Sequence, residues 1–136
     1  PQIIHQEIDL ISEDMDSLLI SAKVSDNIGI DSVWTQYLLN TTDITKNKII
    51  KLKHISSDIY QIKIPIKGLL KENNIFLYKI FASDNANQAN ISSTKGNSIN
   101  GFYSIDVSPM SIPNVSYENN FEDTIKSKKI SKTLNT

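Results

Sequence analysis

The sequence predicts an all-β fold: an antiparallel β-sandwich of about seven strands, followed by a flexible or weakly helical tail. Three observations carry this. Residues 74–87, NIFLYKIFASDNAN, alternate between two faces and then stop in a polar turn. Phe76, Tyr78, Ile80 and Ala82 share one face, and Leu77, Lys79, Phe81 and Ser83 share the other. That period of two marks a strand with one face in a core. Turn signals recur along the chain every 8–12 residues or so, the spacing of a sandwich. Apolar residues at helical spacing are absent before Ser108.

Each element follows from the same reasoning. Residues 2–10 carry Ile3, Ile4, Ile8 and Leu10 and predict a first, interrupted strand. An acidic turn follows at 12–16. Leu18, Ile20, Ala22 and Val24 alternate with Leu19, Ser21, Lys23 and Ser25, a second strand. Asp26-Asn27-Ile28-Gly29 is a turn, because Asn and Gly tolerate positive φ and Asp can accept from its own following backbone. Residues 31–39 form a third strand and 40–47 a polar loop. Residues 48–53 and 59–66 predict two more strands, joined through 54–58. Pro65 cannot donate to a ladder and marks an edge or a strand end. Residues 68–74 lead into the central strand at 76–83. A loop of small polar residues spans 86–97, and 99–107 is the last strand.

Composition narrows the function classes. The chain has 136 residues and a net charge of -1, enough for one domain that buries a core without disulfides or metals. It has no Cys, which removes disulfide scaffolds and Cys-based zinc sites. It has no Arg, and its lysines are scattered, which argues against nucleic acid as a partner. No apolar run reaches membrane-span length. The chain starts at Pro1, so a signal peptide or anchor is expected to lie outside it.

Four segments, AKVSDNIGIDSVWTQY, DIYQIKIP, YKIFASDNAN and FYSIDV, resemble the Ig-like or fibronectin-type modules repeated in prokaryotic secreted and surface proteins. Ala22, Val24, Asp26, Gly29, Ile30, Val33, Tyr37, Tyr60, Ile64, Pro65, Tyr78, Ile80, Ala82 and Asp84 stand at the places of that pattern. The chain departs from it at Asn87-Gln88, where Gly-Asn is more usual. The resemblance covers about residues 1–109. These are packing and turn positions, so they carry architecture. The resemblance implies an Ig-like extracellular spacer, adhesion or accessory module, with 110–136 as linker or tail.

Catalytic patterns are missing from the sequence. His5 and His54 lie in different segments, without a His-x-x-x-His or a carboxylate triad, which argues against zinc. No Gly-x-Ser-x-Gly, phosphate loop or dinucleotide fingerprint occurs. Sequons at Asn40, Asn90 and Asn114 are expected by chance in a chain so rich in Asn, Ser and Thr. Ser25-Asp26-Asn27 and Ser83-Asp84-Asn85 repeat one tripeptide after two strands whose ends should meet. Asp26 and Asp84 are therefore candidate Ca²⁺ ligands. The competing reading is that each Asp caps its own turn.

The candidate binding face comes from the third, sixth and seventh strands, neighbours in an Ig-like sheet. With Val33, Thr35, Tyr37 and Leu39 inside, Trp34 and Leu38 point out. Leu77, Phe81 and Phe102 should join them in one exposed apolar patch, with Phe102 at the Phe81 end. A slip by one residue would bury Trp34 instead. It would also bury Gln36, which then needs a partner. The expected function is a non-enzymatic spacer or adhesion module of a larger secreted or cell-surface protein. Its partners would be neighbouring domains of the same chain, another protein or a glycan. The alternative is an accessory, carbohydrate-binding domain of a secreted hydrolase.

Overall fold

The computed structural model describes residues 1–109. The chain forms strands β1 (Gln2–Ile4), β2 (Leu10–Ser12), β3 (Ser17–Ser25), β4 (Ile30–Leu39) and β5 (Lys48–Lys51). Then come β6 (Lys53–Ser56), β7 (Ile59–Pro65), β8 (Ile75–Asp84), β9 (Ile91–Ser93) and β10 (Tyr103–Ser108). One sheet has the order β1-β3-β7-β6. The other runs β2-β10-β8-β4-β5, with β9 paired to the far end of β8. This is the Ig-like strand order, two sheets joined by crossovers around one core. Two 3-10 turns, Ile44–Lys46 and Ile99–Gly101, are the helical elements among the described residues. None is long or apolar enough to cross a membrane.

The alternation of β8 decides what the core contains. Phe76, Tyr78, Ile80 and Ala82 are all fully buried. From the facing sheet Leu18, Ile20, Ala22, Val24 and Ile64 meet them, and Ile105 and Val107 come from β10. Each large apolar side chain buried this way contributes about 1.5–3 kcal/mol. β8 is central because both its edges are used, by β4 on one side and by β10 and β9 on the other.

The structure corrects three strand assignments. Residues 48–53 are not one strand. Leu52 is buried between β5 and β6, so the chain leaves one sheet there and enters the other. Residues 53–56 therefore pair with β7 instead of serving as a connection. The expected loop 86–97 contains a short strand, β9, and the last strand begins at Tyr103 instead of at 99. β9 pairs with Phe81–Ser83, residues 95–102 leave the sheet, and β10 resumes opposite Tyr78. Thr94 makes that exit affordable: its N–H donates to the Ile80 carbonyl and its Oγ1 accepts from the Ile80 N–H. Both backbone groups of Ile80 are thus satisfied where the ladder is interrupted.

The expected interruption of the first strand becomes a change of sheet. β1 pairs with β3, whereas β2 runs parallel to β10 in the other sheet. His5 holds the crossing. Its Nδ1 lies 2.7 Å from the Ser21 carbonyl, which can only accept, so Nδ1 carries the proton. Nε2 is then an acceptor for the Tyr78 hydroxyl at 2.6 Å, and the Tyr78 oxygen accepts from the Ile8 N–H at 3.1 Å. Four polar groups from three segments satisfy one another beside the core.

The proposed tail, 110–136, and the sequon at Asn114 lie outside the described residues. β10 pairs with β2 as far as Ser108, the Ser108 carbonyl accepts from the Glu13 N–H, and its hydroxyl donates to the Ile11 carbonyl. A chain shortened to 1–108 should therefore unfold cooperatively at nearly the temperature of the full chain. A collapse of the fold on shortening would show that the tail supplies a structural element.

Candidate binding face

The outer face of the five-strand path is laid out by register. Trp34 lies between Lys51 of β5 and Phe81 of β8, and Phe81 in turn pairs with Ser93 of β9. The next row holds Ile49, Gln36 and Lys79, and the row on the other side Ser32, Ser83 and Ile91. Val33 and Thr35 are buried on the core face, so Trp34 and Gln36 must point outward. Thr35 does not leave a polar group stranded, since its hydroxyl donates to the Lys79 carbonyl at 2.9 Å.

Trp34 and Phe81 are half-buried and stacked, with ring centroids 5.5 Å apart and planes 5° from parallel. An offset pair of this kind is worth about 0.5–1.5 kcal/mol beyond its buried area. The Lys79 ammonium sits 5.6 Å from the Phe81 centroid and donates to the Asn100 carbonyl at 3.0 Å. Ile49 and Ile91, 64% and 63% exposed, flank the pair on β5 and β9. The face thus offers an aromatic centre, two exposed aliphatic side chains, two cations and one amide.

Leu38, Leu77 and Phe102 are not part of an exposed patch. Leu38 lies opposite Leu77 on the outer side, but both are buried, as is Phe102. Together with Ile75 they form a small second core under the 95–102 excursion. Phe102 also lies at the Leu77 end of the face, not at the Phe81 end. β10 begins only at Tyr103, opposite Tyr78, so Phe102 stands outside the ladder and packs with Leu77 and Leu38. A long, polar connection gives no sequence signal that it will fold back over the sheet. Gly96 could have hinted at it. A Cβ there would lie 2.4 Å from the Phe102 carbonyl oxygen and 2.6 Å from the Tyr103 nitrogen. Gly96→Ala should therefore lift the excursion and cost about 1–3 kcal/mol, read as a lower urea midpoint. An unchanged midpoint would mean that the close approach is absent in solution.

Asp26 and Asp84 do come to one end of the sandwich. Ile30 pairs with Asp84, and the Gly29 carbonyl accepts from the Asn85 N–H. Their oxygens, however, are already engaged. Asp26 accepts from the Ile28 and Gly29 N–H groups and pairs with the Pro1 amine at 2.9 Å. Asp84 accepts from the Ala86 and Asn90 N–H groups and from the Asn90 side-chain amide. The amine and turn donors hold the Asp26 carboxyl below the usual range, and the Asn90 and Ala86 donors do the same for Asp84. These are turn-capping carboxylates. Among the described residues no three His, Cys, Asp or Glu side chains gather as a metal site.

No family model matches the chain, and no curated protein sequence matches it. Eight chains of solved structures match. One is murine CRIg, with a TM-score of 0.43 and 11% identity over 81% of this chain and 98% of that one. The Ig-like assignment rests on the strand order of the two sheets.

Proposed function

We propose that this chain is a non-enzymatic interaction module of a larger secreted or cell-surface prokaryotic protein, a spacer or adhesion domain. The outer face around Trp34 and Phe81 is its contact surface. The observation that carries this reading is the half-buried aromatic pair flanked by exposed Ile49 and Ile91 on one sheet face. A contiguous apolar patch of a few hundred Å² usually marks an interface. Covering about 400 Å² gives roughly 10 kcal/mol gross at 25 cal/mol per Å². Association costs of about 4–15 kcal/mol leave weak to moderate affinity. That strength suits a neighbouring module held nearby in the same chain, where linkage supplies a high effective concentration. The secreted, prokaryotic setting is supported by the four sequence segments described above.

A non-enzymatic role is supported by how the ionisable groups are used. His5 is engaged at both ring nitrogens, and Asp26 and Asp84 cap turns. A second reading, a carbohydrate-binding accessory domain of a hydrolase, draws on the aromatic pair beside Gln36 and Lys79. Sugars combine an apolar ring face with hydroxyls, which such a surface can meet. The test compares wild type, Trp34→Ala and Phe81→Ala for binding to adjacent modules of the parent chain and to a polysaccharide panel. Module binding lost in both variants supports the first reading, and polysaccharide binding lost in Trp34→Ala supports the second. Binding that survives both substitutions would remove this face from the function.

A further inference from the structure

The two free edges of the five-strand path carry opposite charge. At one end of the path is β5, where Lys48 and Lys51 are exposed, and Lys53 follows where the chain enters β6. Ile49 and Ile55 project among them, 64% and 56% exposed. At the other end is β2, bordered by exposed Glu7, Asp9 and Asp106, with Leu10 61% exposed between them. None of these lysines or carboxylates is in an ion pair with a described residue. Asp43, the carboxylate nearest β5 in sequence, is turned to the Thr45 N–H and hydroxyl.

We infer that a second copy of this chain docks edge to edge, the acidic β2 edge of one molecule against the basic β5 edge of the next. An open strand edge presents unpaired N–H and C=O groups, a ready template for another strand. Here like edges repel, lysines against lysines and carboxylates against carboxylates, while unlike edges attract. The charges thus forbid two of the three pairings and select one. The apolar residues agree with that choice. Leu10 lies opposite Asp106 on the outer face, because Ile11 and Val107 are buried on the inner one. Ile49 is on the outer face too, beside Gln36. A continued sheet would bring both exposed side chains to the same surface. β2 and β5 are different patches, so the contact is heterologous and does not close at two copies. Successive modules would join into an open row, at an angle to the contact surface around Trp34.

Sedimentation velocity of the full chain tests this across concentration, at low salt and in about 0.5 M salt, where screening shortens the reach of charges to several Å. The expected result is a weight-average sedimentation coefficient that climbs with concentration at low salt, without a dimer plateau, and falls to the monomer value at high salt. Lys48→Gln/Lys51→Gln/Lys53→Gln neutralises one edge, and Glu7→Gln/Asp9→Asn/Asp106→Asn neutralises the other. Each variant alone should stay monomeric, while a mixture of the two should form a dimer and nothing larger, since each keeps one native edge. Circular dichroism melts confirm that both variants are folded. Wild type that is monomeric at all concentrations overturns the inference, as does a salt-insensitive dimer, or association that both variants retain.

Discussion

Phe102→Ala should lower the stability of the domain by about 3–5 kcal/mol, the range for a buried Phe reduced to a methyl. Phe102 is 2% exposed, and it fills the space between Leu38 and Leu77 under the excursion. The site cannot collapse easily, because Gly96 already touches the Phe102 backbone and the Gly96 N–H donates to the Gly101 carbonyl. The void would remain, or the excursion would lift and expose Leu38 and Leu77 to water. Either outcome lowers the urea midpoint, and lifting would also lower the m-value, because a folded state that already exposes Leu38 and Leu77 uncovers less surface on unfolding. A loss under about 1 kcal/mol would mean that these three side chains are solvated in the native protein.

Tyr78→Phe is the second large effect, and it separates hydrogen bonding from packing. The ring would keep its place among Phe76 and Tyr103, but the Ile8 N–H and the His5 Nε2 would both lose their partner. Each buried polar group left unpaired costs about 1–3 kcal/mol. Burial pushes the Tyr78 hydroxyl well above the ordinary tyrosine range, so it stays a neutral donor to His5. His5 is itself held below its usual pKa, chiefly by burial, against the opposing pull of the Ser21 carbonyl and the Glu7 charge. Because the folded state binds the proton less readily than the unfolded chain, stability is complete above about pH 6.5 and declines as pH falls through the folded value. His5→Gln should abolish that decline. A separate loss at lower pH belongs to Asp26, Asp84 and Asp43, whose lowered values make their contribution complete above about 3.8 and lost in acid. Equal melting temperatures at pH 7.5 and 5.5 in wild type would contradict the His5 account.

The parts of this fold that were legible in the sequence are those set by alternation. Residues 76–83 place Phe76, Tyr78 and Ile80 in the core because a strand's side chains must take turns between two faces. The facing of β4 was legible for the same reason, with Gln36 deciding between two registers that differ by one residue. Connections were harder. Leu52 looks like any apolar residue in a β-rich run, and only the assembled sandwich reveals it as the point where the chain changes sheet. The excursion at 95–102 is polar and glycine-containing, so it reads as solvent-exposed, yet it covers Leu38 and Leu77. In the sequence His5 was weighed only as a zinc ligand, and its spacing from other ligand types argued against that. Its partners, Ser21 and Tyr78, are 16 and 73 positions away, so no local spacing could announce its structural role. The paired aspartates illustrate the reverse: their meeting was predictable from topology, and the Ile28, Gly29 and Ala86 amides that they accept from lie in Asp-Asn-Ile-Gly and Asp-Asn-Ala-Asn, whereas Asn90 and the Pro1 amine lie outside those turns.

The proposed binding face depends most directly on Trp34 lying outside the sandwich. It is the chain's single Trp, so its fluorescence reports one position. Emission from the dilute monomer should lie between the buried and fully solvated limits and be quenched by iodide. Phe81→Ala, which removes the stacked ring, should increase both the red shift and the quenching. Blue-shifted emission that iodide leaves untouched, in wild type and in Phe81→Ala alike, would put Trp34 in the core and contradict the register on which the binding face depends.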